Sequence, residues 1–287
     1  MRHIFTIIIA LLLFLPSCKT ETKESYYNRG LAHQEKGQLD KAIEDYTKAL
    51  VLNPDFASAY INRGIVYDMK HQSDKAIEDL TMAIALEPNN PVPYSNRGGI
   101  YNREGQHDKA IEDYTKAIAV DPNYIYAYSN RGNVYRIIGQ YERAIEDFNK
   151  AIILDSNDTT LAYYSRGLTY YDKGQYDKAI RDFDKAIVIN QNFALSYRDR
   201  GRSFALIGKL KEAEMDIKKA LELSSTNLSI IVSMAEIYSI KNNTVEACEW
   251  LSKGIERGFN DWNYIKTSKT FKDIRGASCY NEIMSGR

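Results

Sequence analysis

Proline is scarce in this sequence, with 6 in 287 residues, and so are histidine at 4, cysteine at 3 and tryptophan at 2. Proline breaks or kinks a helix from inside, so its shortage favours long helices. Charge of one sign is also lacking. Thirty-eight Lys plus Arg balance 38 Asp plus Glu, which on overall balance speaks against a nucleic-acid binder or an acidic tail. The long apolar run, Ile4 to Leu15, is about twelve residues where a spanning helix needs roughly twenty. No phosphate-cradling loop, zinc spacing or calcium loop can be found. What the chain does have is 44% apolar and 26% charged residues, the composition of a folded globular or repeat protein, and 22 tyrosines against 9 phenylalanines.

The first residues read as an address. Arg2 and His3 precede the short apolar run, the layout of a secretory signal peptide over residues 1–17. The stretch Leu15-Pro16-Ser17-Cys18 resembles a bacterial lipoprotein box, which implies that Cys18 becomes the lipidated first residue of the mature chain. That would hold the chain stably to a membrane outside the cytoplasm, since several acyl chains exceed the marginal hold of one. Residues 18–22 would form the lipidated Cys and a tether reaching less than about 20 Å at roughly 3.4 Å per extended residue. The mixed charge of Lys19, Glu21, Lys23 and Glu24 offers no clear acidic signal for export to the cell surface.

Beyond the leader, a 34-residue period organises the chain. Asn28-Arg29-Gly30 returns as Asn62-Arg63-Gly64, Asn96-Arg97-Gly98 and Asn130-Arg131-Gly132, then as Ser165-Arg166-Gly167 and Asp199-Arg200-Gly201, with a diverged seventh copy around Ala235. An alanine follows twelve residues later in every copy, from Ala42 to Ala247. In each copy the apolar and small positions recur three and four apart, as Tyr60, Gly64, Tyr67 and again as Ala76, Ile77, Leu80, Ala83, Ile84. That spacing predicts two amphipathic helices. Gly37, His71, Gly105, Gly139, Gly174, Gly208 and Asn242 stand between them, as residues that tolerate the left-handed end of a helix. Pro54, Pro88 and Pro122 follow the second helix in the first three copies.

The order Tyr, Gly, Tyr, Ala, aromatic, Ala, Pro within 34 residues resembles the tetratricopeptide repeat, seven times over, at 23–56, 57–90, 91–124, 125–159, 160–193, 194–227 and 228–261. The resemblance implies an all-α, right-handed solenoid of helix pairs whose first helices line a concave groove, and a function in protein–protein recognition. Chaperone-binding members clamp a terminal carboxylate with Lys and Arg in the first three units. Here those places hold Tyr27, Leu31, Asn62, Val92 and Asn96, so that subclass is set aside.

Comparing the copies with one another isolates a charge pattern. Arg29, Arg63, Arg97, Arg131, Arg166 and Arg200 are each followed sixteen residues later by Asp45, Asp79, Asp113, Asp147, Asp182 and Asp216. In the seventh copy both vanish together, as Met234 and Trp250. The joint loss predicts an Arg–Asp pair inside each of six units, because removing one partner alone strands a poorly solvated charge. The competing reading is a row of six cations for an acidic partner.

Solenoids need caps, and residues 262–287 carry Trp262, Ile265, Phe271, Ile274, Tyr280, Ile283 and Met284 at spacings for a short amphipathic extension. Cys248 in the last unit and Cys279 in the cap read most simply as two buried thiols, with a disulfide open to a chain outside the cytoplasm. The fourth unit is one residue longer. Its Asp158-Thr159-Thr160 resembles the O-glycosylation acceptor motif of some Bacteroidota, with Thr159 as acceptor.

Nothing converges as nucleophile, base and orienting group, so an enzyme is not expected, nor any cofactor, metal or small-molecule substrate. His33 replaces a repeat tyrosine, and His71 and His107 fall at helix turns. The repeated Glu44-Asp45 type pairs belong to the scaffold. The register places Asn28, Asn62, Asn96 and Asn130 on the inner face, with Asn133, Tyr27, Tyr126, Tyr164 and Tyr171 beside them. Arg103, Arg136, Arg198 and Arg202 add positive charge there, partly offset by Asp68, Asp172 and Asp199. Amides and tyrosines suit an extended or C-terminal peptide. The structural tyrosines are the eleven at the two recurrent first-helix places together with Tyr46, Tyr114, Tyr141 and Tyr176. The expected function is a membrane-anchored adaptor or assembly scaffold of the bacterial envelope, placed first on the periplasmic side of the outer membrane, with the inner membrane and the cell surface as alternatives. By resemblance to repeat lipoproteins, its partners would be cell-wall hydrolases, envelope proteases or assembly factors. The alternative is a structural protein that self-associates through its outer face or cap.

Overall fold

The computed structural model describes residues 21–155 and 158–285; the expected signal peptide and Cys18 lie outside the described residues. It is all helix, with no strand among the described residues. The chain divides into two compact units after Pro122. The first holds three helix pairs, α1 (Lys23–Glu35) with α2 (Leu39–Leu52), α3 (Ala57–Met69) with α4 (Ser73–Leu86), and α5 (Pro91–Arg103) with α6 (His107–Val120). The second holds four, α7 (Ile125–Ile137) with α8 (Tyr141–Leu154), α9 (Thr160–Asp172) with α10 (Tyr176–Ile189), α11 (Ala194–Leu206) with α12 (Leu210–Leu223), and α13 (Leu228–Ile240) with α14 (Thr244–Glu256). After these come α15 (Trp262–Thr267), a 3-10 turn (Lys269–Ile274) and α16 (Ser278–Ser285).

One turn serves every pair. In the first, Gly37 N–H bonds the Gln34 carbonyl at 2.9 Å and Gln38 N–H bonds the His33 carbonyl at 2.8 Å, the two reversed bonds that close a Schellman end. The pattern recurs through Asn243 N–H to the Tyr238 carbonyl at 2.9 Å. The geometry demands positive φ at the middle residue: the five glycines there lie between 69° and 82°, while His71 and Asn242 adopt 57° and 55°.

Pairs close on a small-against-large contact. The second helices bury alanines seven apart with an aromatic or aliphatic residue between them, as Ala179, Phe183 and Ala186, all fully buried. The ring lies on the glycine of the first helix: a Cβ on Gly167 would stand 2.7 Å from Phe183, and one on Gly30 2.7 Å from Tyr46. The two ends of the chain depart from this scheme. Glu21 bonds Arg29 and the Thr22 hydroxyl accepts the Ser25 N–H, so the last two residues assigned to the tether are held against α1. At the other end, α13 is buried around most of its circumference, because the tail covers it. Ile265, Phe271 and Ile274 are fully buried there. The extension is three short pieces, broken after α15 at Ser268 and before α16 at Gly276. Where two thiols are the simpler expectation, the structure has a Cys248–Cys279 disulfide joining α14 to α16. Thr159 is half-buried, directly before α9, and caps nothing with its side chain.

Gly167→Ala should cost about 1–3 kcal/mol by overpacking, despite a helix-propensity gain of about 1 kcal/mol. At Gly99 a Cβ meets only the Tyr114 hydroxyl at 3.7 Å. Gly99→Ala should therefore stabilise, and urea denaturation of both variants would reverse the assignment if the signs came out alike. A second expectation concerns acid. Hydrogen bonds from Lys218 and Lys241 lower the Glu214 carboxyl to about 2. A depressed carboxylate stabilises above its ordinary range near 4.5 and loses that contribution as pH falls towards 2. Thermal melts should show the gap between wild type and Glu214→Gln narrowing from pH ~5 to pH ~3.

Candidate functional site

The six arginines of the repeat are the first candidates for a cationic surface. Each donates Nε–H and Nη2–H to the two oxygens of its aspartate at 2.7–2.8 Å, a bidentate pair within one repeat. The third nitrogen is used as well. Arg63 Nη1 reaches back to Thr47 at 3.0 Å, Arg97 to Thr81 at 2.8 Å and Arg200 to Asp184 at 2.5 Å. Arg166 reaches Asn149 in the same way, and Arg29 takes Glu21. Tyrosines flank the guanidinium: Arg63 lies 5.6 Å from the Tyr60 ring and 5.9 Å from that of Tyr67, and Arg131 5.9 Å and 5.8 Å from Tyr128 and Tyr135. A guanidinium held on three nitrogens between two rings is a clamp between helices, with no open cation for an acidic partner.

The electrostatics show what the clamp costs. Burial pushes the Asp147 and Asp216 carboxyls above the ordinary range in spite of their arginines. Asp45, paired with the more exposed Arg29, is held below it by that hydrogen bond. Buried pairs of this kind add little over an apolar contact of the same shape. The seventh unit carries that apolar version: Met234 is buried and Trp250 packs against its cluster. The residue to which an arginine would reach back is there Lys218, bonded to Glu214 at 2.8 Å.

The inner face is less open than its sequence suggests. Asn62 donates to the Tyr27 hydroxyl at 2.7 Å, and Tyr27 packs on Tyr46 and Phe56. Tyr164, at the same repeat position in the fifth unit, makes the equivalent contact to the next repeat, donating to Asp199 at 2.8 Å. All four expected ligand arginines are neutralised: Arg103 by Asp68, Arg136 by Asp172 at 2.7 Å, Arg198 by Asp199 at 2.7 Å and Arg202 by Glu236 at 3.0 Å. Tyr171 is capped by the Arg202 guanidinium 5.1 Å above its ring. The positive groove is therefore corrected to a face crossed by ion pairs: for Arg103, Arg136 and Arg202 the carboxylate lies on the first helix of a neighbouring repeat, and for Arg198 it is the adjacent Asp199. Left open are Asn28, Asn96, Asn130 and Asn133, whose side chains make no hydrogen bond among the described residues, and Tyr126, 69% exposed.

Two concavities lie in the second unit. A cavity of about 210 Å³ is walled by Arg198 and Arg202 of α11, by α13 and by the residues around α15. Burial acts to raise the Asp199 carboxyl, but Arg198 and Arg202 outweigh it and hold it below the ordinary range. Glu236, 1% exposed, accepts from Arg202, Tyr264 and Thr270. Glu236, Tyr264 and Thr270 escape a reading of the sequence, because the tail that brings two of them has no repeat register. The other concavity, a cleft of about 900 Å³ between α14 and α16, has the disulfide in its wall. No group of metal-ligating side chains occurs among the described residues.

A family profile described as Tetratricopeptide repeat matches residues 24–56, 57–90, 125–158 and 160–193, and one described as TPR repeat matches 98–136. A comparison with curated proteins finds no match. Among solved structures, a tetratricopeptide repeat protein from Parabacteroides merdae is similar at 23% identity and TM-score 0.70, over 88% of this chain and 98% of its own. YrrB, described as a TPR protein with an unusual peptide-binding site, is similar at 25% identity and TM-score 0.50, over 63% and 93%. MamA is similar at 29% identity and TM-score 0.53, over 60% and 94%.

Arg97→Met alone should cost about 3–5 kcal/mol, because Asp113 stays buried without its partner. Adding Asp113→Leu should recover most of that loss. Equal stability of the single and double variants in chemical denaturation would refute the clamp.

Proposed function

Since this chain belongs to the tetratricopeptide repeat family, whose members mediate protein–protein interactions, we propose that it is a non-enzymatic adaptor or assembly scaffold of the bacterial envelope that recognises an extended protein segment on the inner face of its first helices. The observation that carries this reading is the set of uncommitted amides, Asn28 and Asn96 in the first unit and Asn130 and Asn133 in the second. An amide offers both donor and acceptor, which is what the backbone of an extended peptide requires. Tyr126, on the same helix as Asn130 and Asn133, adds a ring of large area at low entropy cost. A peptide-binding site is named for YrrB, the relative of 25% identity. Arg103 and Arg136 do not recognise the partner in this reading; each is paired with a carboxylate within the chain.

Anchoring is the second part of the proposal. Lipidation at Cys18 would place the protein on a membrane outside the cytoplasm, on the periplasmic side of the outer membrane. With Glu21 and Thr22 held against α1, only Lys19 and Thr20 separate the anchor from the first repeat. At roughly 3.4 Å per residue the repeats stand against the bilayer surface, so partners are themselves membrane proteins or proteins that work beside one.

A second reading, self-association through the outer face, is favoured by Val51, Ile153 and Val188, which hold the same register on their second helices and are 75–77% exposed. Sedimentation of the soluble chain decides it: a mass that stays monomeric as concentration rises ends that reading.

Affinity capture of the lipidated protein from membranes, followed by mass spectrometry, should return a partner whose affinity falls by about tenfold or more in Asn130→Ala/Asn133→Ala. An unchanged affinity would remove the amides from the interface.

A further inference from the structure

The cavity in the second unit is built differently from the rest of the inner face. Its charges are layered. Arg198 and Arg202 line it, whereas Asp199 and Glu236, the carboxylates that hold them, are 0% and 1% exposed and do not. Asp199 receives both guanidinium groups, Arg198 at 2.7 Å and Arg202 at 3.4 Å, and so holds two like charges side by side. A guanidinium has five N–H donors. Arg198 places its Nε–H on Asp199, its Nη2 hydrogens on Asp199 and Tyr164, and one Nη1 hydrogen on Ser229. Arg202 places its Nε–H on Glu236, its Nη2 hydrogens on Tyr264 and Glu236, and one Nη1 hydrogen on Asp199. That leaves one Nη1 hydrogen on each arginine, and both side chains line the cavity. Facing them is an apolar wall, Val232 and Phe259.

Two oriented guanidinium groups backed by buried carboxylates suit a small planar anion, because the donors are fixed before the ligand arrives. The volume sets its size: about 210 Å³ falls below the roughly 300–1,000 Å³ of sites for drug-sized ligands, and admits about one amino-acid residue. The geometry points to a binding site for a carboxylate carried on a small apolar group, the carboxylate on Arg198 and Arg202 and the apolar group against Val232 and Phe259. This chemistry has two sources, the last residue of a protein chain and a free carboxylic acid such as an apolar amino acid. Asp261 separates them. It stands exposed in the cavity wall, with one oxygen capping α15 through the Tyr264 N–H at 2.8 Å, and an ammonium group would reach it only from a free amino acid. The chain-end case rests on the peptide-recognition reading above; the free-acid case does not, and small probes report on the site whatever becomes of partner capture.

Calorimetric titration of the whole chain with N-acetyl-leucine and its uncharged amide tests the site, at the ~0.1–10 mM expected for ligands this small. The acid should bind at least tenfold more tightly than the amide. Arg198→Gln should abolish the difference. Because that variant also breaks the bond to Asp199, Ser229→Phe, which gives up one Arg198 contact but leaves Asp199 and Glu236 holding both arginines, fills the cavity from its half-buried edge and should abolish binding while a cooperative thermal melt is retained. Acid and amide binding alike, no heat from either, or binding that survives both variants would overturn the assignment. Between the sources, free leucine binding more tightly than N-acetyl-alanyl-leucine assigns a free amino acid, and the reverse assigns a chain end.

Discussion

The arginine of each repeat is the interaction on which the rest depends. Its position in the middle of a first helix puts one charge at the meeting point of three helices: its own, the second helix of its unit and the second helix of the unit before. Two nitrogens hold the aspartate of the same repeat, as in Arg97 with Asp113 at 2.8 Å, and the third holds Thr81 of the preceding repeat. Packing of alanine and glycine alone leaves neighbouring helices free to slide along a smooth interface. A bidentate bond and a backward bond from a single planar group fix register in two directions at once. The flanking tyrosines follow from this need. A guanidinium taken out of water is favoured by aromatic faces, and the recurrent tyrosines supply them three residues before and four residues after it.

That account changes what the aromatic excess means. The tyrosines at recurrent places are part of the charge clamp, and Tyr27, Tyr164 and Tyr171 on the inner face are committed to Asn62, Asp199 and Arg202. The second unit concentrates its polar side chains at its far end, where the repeat pattern lapses. There the ladder position holds Asp199, the next register holds Arg202 and Glu236, and the tail closes over them with Tyr264 and Thr270. Buried charge accumulates where the units stop being copies of one another.

Much of the fold is legible in the amino-acid order alone. The 34-residue period, the turn positions and the Arg–Asp pairing can be read because seven copies act as an internal comparison, and Met234 with Trp250 shows which two positions change together. The backward bonds are legible in principle: Thr47, Thr81, Asn149 and Asp184 stand two residues after each aspartate, polar in each of these units. The pairing across the inner face is less so. Asp68 and Asp172 read in the sequence only as a partial offset, because the carboxylates that pair with Arg103, Arg136 and Arg202 sit on a neighbouring first helix, at separations of 34 to 36 residues. The disulfide is hidden for another reason. A separation of 31 residues between Cys248 and Cys279 carries no geometry until the tail's path is known.

The backward reach of the arginines gives the array a grammar of length. A unit carrying its own arginine, aspartate and polar residue two places on completes a bond to the unit before it and leaves an acceptor for the unit after it. An extra copy could be spliced between α2 and α3, or between α4 and α5, with every clamp intact. The seventh unit has no such socket, since Lys218 before it and Met234 within it have closed the series, and α13 is wrapped by the tail. A chain of this design lengthens by insertion between like units, and the wrapped seventh unit serves as its seal.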